Sequence, residues 1–230
     1  MLRHTFLLLC CALLPFGLSA QDDDNFYRLE LGGGVGIGFG LNDVNSKFYG
    51  QSQVATGLLA RFPLNPRMAI KLGANYFKLS GSTDKINDFY PQNPAVSGPG
   101  RLIYKMSGDL YDFAALYELH FLPYGWQQGY QGFSRVTPYI QLGLGFTYGT
   151  PDKAFTVNFP IGVGLKWKLS NRLNAGVDWT FRFTPSDRLD GLAAPHGIKS
   201  TEFRNKDHYS LTMFTLTYDL NPKCPNCNKD

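Results

Sequence analysis

Long apolar runs are missing from this sequence of 230 residues. The best candidate, Phe6 to Leu18, is 13 residues long, short of the ~20 that a membrane-spanning helix needs. With Arg3 before it and Ser19 and Ala20 after it, it reads instead as a secretory signal over residues 1–20, cut before Gln21. Neither Cys10 nor Cys11 follows a small residue, so no lipid anchor is expected there. Cysteine is scarce as well: of four, two fall in the signal, leaving Cys224 and Cys227 in a tail over residues 221–230.

Those two cannot make a zinc site alone, because zinc wants four ligands and there is no second pair. A thioredoxin-type site needs a helix N-terminus to lower the thiol pKa, whereas Cys224-Pro-Asn-Cys227 follows the last strand. A local disulfide is the expected state, with pairing or metal binding through a partner, or free thiols, as alternatives. Nucleotide loops are absent too. In Arg28 to Leu41, RLELGGGVGIGFGL, the fifth residue on from Gly32, Gly34 and Gly36 is Ile37, Phe39 and Leu41, so G-x-G-x-x-G fails, and no G-x-x-x-x-G-K occurs. H-E-x-x-H and G-x-S-x-G are missing as well. No catalytic residue, metal or cofactor is therefore expected. A net charge of +4, reduced by the loss of Arg3, is too weak and scattered to argue for nucleic acid.

What the chain does have is alternation. From Tyr27 the odd positions read Tyr, Leu, Leu, Gly, Val, Ile, Phe, Leu and the even ones are Arg28, Glu30 and then glycines, a period of two and hence a strand. The pattern returns in Phe155 to Leu169 and Leu173 to Thr184. Weaker versions run over Gln53 to Phe62, Met68 to Leu79, Asp109 to Leu122, Thr137 to Tyr148 and Tyr209 to Leu220. Eight strands, with tight turns at Pro63 to Arg67 and Ser170 to Arg172 alternating with mostly long polar loops, predict an all-β, eight-stranded antiparallel transmembrane outer-membrane β-barrel over residues 21–220, its N- and C-termini periplasmic. Pro123 to Val136, PYGWQQGYQGFSRV, is too long for its place in that scheme.

A soluble barrel of the same strand count would have to pack Trp167, Trp179, Phe146, Phe159, Phe181 and dozens of aliphatic side chains into a lumen barely wide enough for ordinary ones. The bulky face therefore meets lipid, and Tyr27, Tyr76, Tyr117, Phe121, Tyr148, Trp167 and Tyr218 fall near strand ends, where aromatic girdles sit. The inward set then contains Arg28, Glu30, Arg61, Lys71, Asp112, Glu118, His120, Lys166, Lys168, Asp178 and Arg182, a lumen charge network expected to pair across the barrel and plug it. His120 with Glu118 is read as part of that network ahead of a proton site. Glycines on the inner face of the first strand would leave room for groups such as Arg182 or Lys166 and permit strong coiling. Gly36→Leu should then block assembly and Ile37→Leu should not.

One enzymatic alternative stands beside this. His208 and Ser210 share a strand face, as in small lipid A deacylases of the outer membrane, with Glu202 or Asp207 available to orient the imidazole; the plainer reading is a polar rim residue beside a hydroxyl. A small porin-like channel is the other alternative.

The segments LELGGGVGIGFG, NRLNAGVDWTFRFTPSDRLDG and HYSLTMFTLTYDL resemble small outer-membrane barrels of the Bacteroides-type lineage, in particular the PorG-like family of the type IX secretion system. The resemblance implies a non-enzymatic, cofactor-free barrel in the outer membrane of a Gram-negative bacterium. Its partners would be outer-membrane lipids and periplasmic secretion-ring proteins, a lipoprotein and its partner, with no small-molecule substrate. Trp126, Tyr130 and Phe133 in the long turn, with Cys224 and Cys227 in the tail, are the candidate partner contacts, since aromatic anchors are favoured in interfaces. Seating of those rings in the lipid headgroup layer is the alternative.

Overall fold

The computed structural model describes residues 27–222, apart from 43–44, 46, 83–104, 127–131, 190 and 192–205. Eight strands follow one another in chain order: β1 (Tyr27–Leu41), β2 (Gln53–Asn65), β3 (Met68–Ser82), β4 (Lys105–His120), β5 (Val136–Gly149), β6 (Ala154–Lys168), β7 (Leu173–Phe183) and β8 (His208–Pro222). Each pairs antiparallel with the next, and β1 closes on β8 from Tyr27↔Pro222 to Leu41↔His208. Closure leaves no free sheet edge, which is the only way strands can satisfy their backbone groups in lipid. β3 and β4 stay paired up to Ser82↔Lys105, longer than alternation alone suggests. The two ends of the barrel differ. The turn end holds Tyr27 and Pro222 and the connections after β2, β4 and β6; the loop end holds the others.

Alternation sorts the side chains. Val35, Val54, Leu58, Phe113, Leu144, Phe155 and Phe214 are all more than half exposed on the outer face, an arrangement that only a non-aqueous surrounding makes favourable. Rings border this band: Tyr76, Tyr111 and Tyr148 form a file at the loop end, with centroids 5.3 and 6.4 Å apart. Phe39 departs from the pattern. It lies on the outer face yet is 1% exposed, because Phe48 and Tyr49 of the β1–β2 connection fold over it at 5.6 and 4.7 Å.

The glycines of β1 have a tighter role than making room for distant cations. A Cβ on Gly36 would lie 1.9 Å from the carbonyl oxygen of Thr212, and one on Gly32 2.1 Å from that of Leu216. What these positions clear is the backbone of β8. Only Gly38 and Gly40, further along, yield to side chains, those of Phe77, Leu211 and Leu79.

Candidate functional site

The lumen is filled in three storeys. Nearest the middle, Arg61 holds Glu118 side-on, with Nε donating to Oε2 at 2.7 Å and Nη2 to Oε1 at 3.1 Å, the bidentate geometry that makes Arg–carboxylate pairs strong. Its Nη1 donates to Glu30, which also accepts from Lys166 and from the Thr217 hydroxyl. Lys71 donates to Asp178 at 2.7 Å and to Gln141 at 2.9 Å and lies 3.6 Å from Glu118, while the Tyr139 hydroxyl donates to Asp178. Strands β1, β2, β3, β4, β5, β6, β7 and β8 all contribute a side chain to this one cluster. His120 closes it, with Nε2 3.4 Å from Glu118 and its ring edge-on to Tyr139.

Toward the loop end, Asp112 collects Arg182 Nε (3.0 Å), Tyr209 OH (2.7 Å), Asn158 Nδ2 (3.0 Å) and Asn75 Nδ2 (2.8 Å). Above it an apolar lid built on Phe77, Leu110, Leu211 and Met213 is topped by Leu189, whose amide donates to Asp207 Oδ2 at 2.8 Å. At the turn end, Lys168 pairs with Asp219, which also accepts from Asn174 Nδ2 at 2.9 Å. Asp219 is the lumen acid that sequence reasoning missed, although it shares the face of Thr215 and Thr217. Arg28, expected inside, is exposed at the rim, because β1 extends past the last lumen storey there. With Arg28 outside and Asp219 inside, the buried ions carried by the strands balance: Arg61, Lys71, Lys166, Lys168 and Arg182 against Glu30, Asp112, Glu118, Asp178 and Asp219, while Asp207, buried just before β8, accepts the Leu189 amide. A low-dielectric interior demands that balance, since one unmatched buried charge costs several kcal/mol, about 3 to 5 when a partner is removed.

The long β4–β5 connection turns back into the mouth at the turn end. Its Tyr124 is buried, donating from OH to Asn174 Oδ1 at 2.7 Å, with its amide bonded to Pro66 O at 2.9 Å and Lys166 Nζ 4.4 Å from its ring centre. Burial pushes its phenol pKa up, so it stays protonated and keeps donating. Trp126 is half-buried beneath Arg135, 4.1 Å from ring centre to guanidinium, and Phe133 packs beside Gly125. Tyr130, Cys224, Cys227, Glu202 and the signal over residues 1–20 lie outside the described residues. The cavity left beneath Tyr124, between Glu30, His120 and Lys166, is about 40 Å³, and one at mid-barrel, beside Lys71 and Arg182, about 30 Å³. Each has room for a few waters at most, since holding one takes roughly 10–15 Å³ of such space. Among the described residues no group of His, Cys, Asp or Glu gathers as a metal ion would need.

His208 and Ser210 stand on the outer face of β8, where they are engaged elsewhere. Ser210 is 0% exposed and donates to Thr180 O at 3.0 Å. His208 Nδ1 accepts the Thr184 amide at 3.2 Å and its ring sits edge-on to Phe181 and Phe183. The Nδ1 lone pair is thus taken up by the backbone at the end of β7.

The family described as "Outer membrane protein beta-barrel domain" matches residues 8–219. Among solved structures, Neisserial surface protein A superposes with a TM-score of 0.50 at 9% identity, over 84% of this chain and 97% of that one. OprG from Pseudomonas aeruginosa gives 0.46 at 14% identity, over 85% and 96%. The outer membrane enzyme PagL gives 0.38 at 15% identity, over 81% and 97%. At these identities the first shares the fold alone. No curated protein matches the sequence.

Proposed function

The chain belongs to the outer membrane protein β-barrel family, and from that membership we propose that it is a non-enzymatic anchoring component of a protein-export machine of the type IX kind. Its turn end faces the periplasm and docks secretion-ring proteins, a lipoprotein and its partner. The observation that carries this reading is the β4–β5 connection: Tyr124 seals the mouth from inside, and the same segment presents Trp126 and Phe133, half-buried, at the rim. A turn that had only to reverse the chain needs two or three residues; this one builds a surface. The resemblance of the β1, β7 and β8 segments to PorG-like barrels supplies the class of partner.

A closely packed interior supports an anchor over a channel, because small separate voids between paired charges offer no continuous path for ions. The buried Ser210 and the committed His208 lend the hydrolase alternative no support. Deleting residues 223–230 and replacing Trp126 and Tyr130 by Ala should release the periplasmic partner when the barrel is pulled down from native membranes. Unchanged co-purification would sink the docking model.

A further inference from the structure

Each of the three hairpins at the turn end finishes on an arginine: Arg67 precedes β3, Arg135 precedes β5 and Arg172 precedes β7. Their backbones are held in equivalent places, since the carbonyls of Arg67, Arg135 and Arg172 accept the amides of His120, Lys168 and Asp219 at 2.7, 2.7 and 2.8 Å. Arg28, second residue of β1, completes the set, so every strand that starts from this end begins at an arginine. All four side chains are exposed. Among the described residues, the carboxylate at this end is Asp219, with Glu30 and Glu118 next above it, each at most 4% exposed and committed to lumen cations. The rim is therefore cationic, with no exposed described acid to offset it.

The side chains are also propped. Arg135 lies over Trp126, and Arg172 sits 5.6 Å from the Tyr27 ring centre with Nε 3.3 Å from its hydroxyl. Arg67 Nη1 reaches the Phe121 carbonyl at 3.3 Å. Stacking on Trp126 keeps the donor fork of Arg135 free for a tetrahedral oxyanion, while Arg172, bonded to Tyr27 and Tyr218, and Arg67, bonded to Phe121 O, each keep further N–H donors among their five. Just beyond the collar the lipid-facing band begins with Phe62, Phe121, Trp167 and Tyr218, which sets the arginines at headgroup depth.

We propose that this arginine collar binds the phosphates of anionic phospholipids in the leaflet that meets the turn end, one headgroup beside each hairpin. The inference rests on the membrane barrel and is independent of any protein partner, because it is tested on the purified chain.

Barrel refolded into vesicles of equal phosphatidylglycerol and phosphatidylcholine, extracted gently and weighed by native mass spectrometry, should retain phosphatidylglycerol preferentially. At low salt the enrichment should be roughly five-fold per arginine site, shrinking as salt rises. Trp126 fluorescence should be quenched more by brominated phosphatidylglycerol than by brominated phosphatidylcholine. Changing Arg28, Arg67, Arg135 and Arg172 to Gln should abolish both preferences while heat-modifiable gel mobility shows the barrel still folded. Wild-type protein with no phosphatidylglycerol preference, or a Gln variant that keeps it, overturns the proposal. So does a preference that emerges only after Asp22, Asp23 and Asp24 are changed to Asn, which would make the chain's own acidic segment the occupant.

Discussion

Glycine in β1 shows how one residue type can serve a neighbour's backbone. Gly32 and Gly36 are where β8 crosses closest, and any side chain there meets a carbonyl oxygen. Alanine should therefore be as unacceptable at Gly36 as leucine. Gly73 of β3 faces the same lumen, but the nearest atom to an added Cβ is 3.7 Å away. Gly36→Ala should prevent formation of the heat-modifiable folded band on gels, whereas Gly73→Ala should fold like wild type; equal behaviour of the two would refute the steric account. The alternation in the sequence places both glycines inside. Which of them touches a backbone depends on the coiling of β1 against β8, which alternation does not encode.

Among the elements, the β4–β5 connection departs most from what its length suggested. Its aromatic content marks it as a surface for a partner or for headgroups, and one of its rings, Tyr124, turns inward. Tyr124 was not singled out because nothing local distinguishes it from Tyr130; its burial depends on Asn174 and Lys166, some 40 to 50 residues away along the chain. Tyr124→Ala removes a buried ring and a hydrogen bond and should cost about 3 kcal/mol, read as a lower urea midpoint in lipid vesicles. An unchanged midpoint would mean that the segment covers the mouth without holding it.

At the scale of the whole molecule, the strands bring five buried cations to five buried carboxylates inside a cylinder whose outside is apolar. Such a barrel is an inverted protein: its polar groups pair within and its hydrophobic ones face out, because lipid, not water, is the solvent. In a planar bilayer the purified barrel should show no single-channel openings at moderate voltage; steady openings would show that the lumen pairs part. Period-two alternation, aromatic strand ends and turn spacing determined the strand count, the lipid-facing side and most of the lumen charges, since each is a property of neighbours in sequence. The tertiary structure alone decided that Arg28 leaves the lumen while Asp219 completes it, that Leu189 and Tyr124 stopper the two ends, and that Ser210 is buried. Those outcomes depend on shear and closure, which bring residues far apart in sequence to the same height around the cylinder, and no local pattern carries that information.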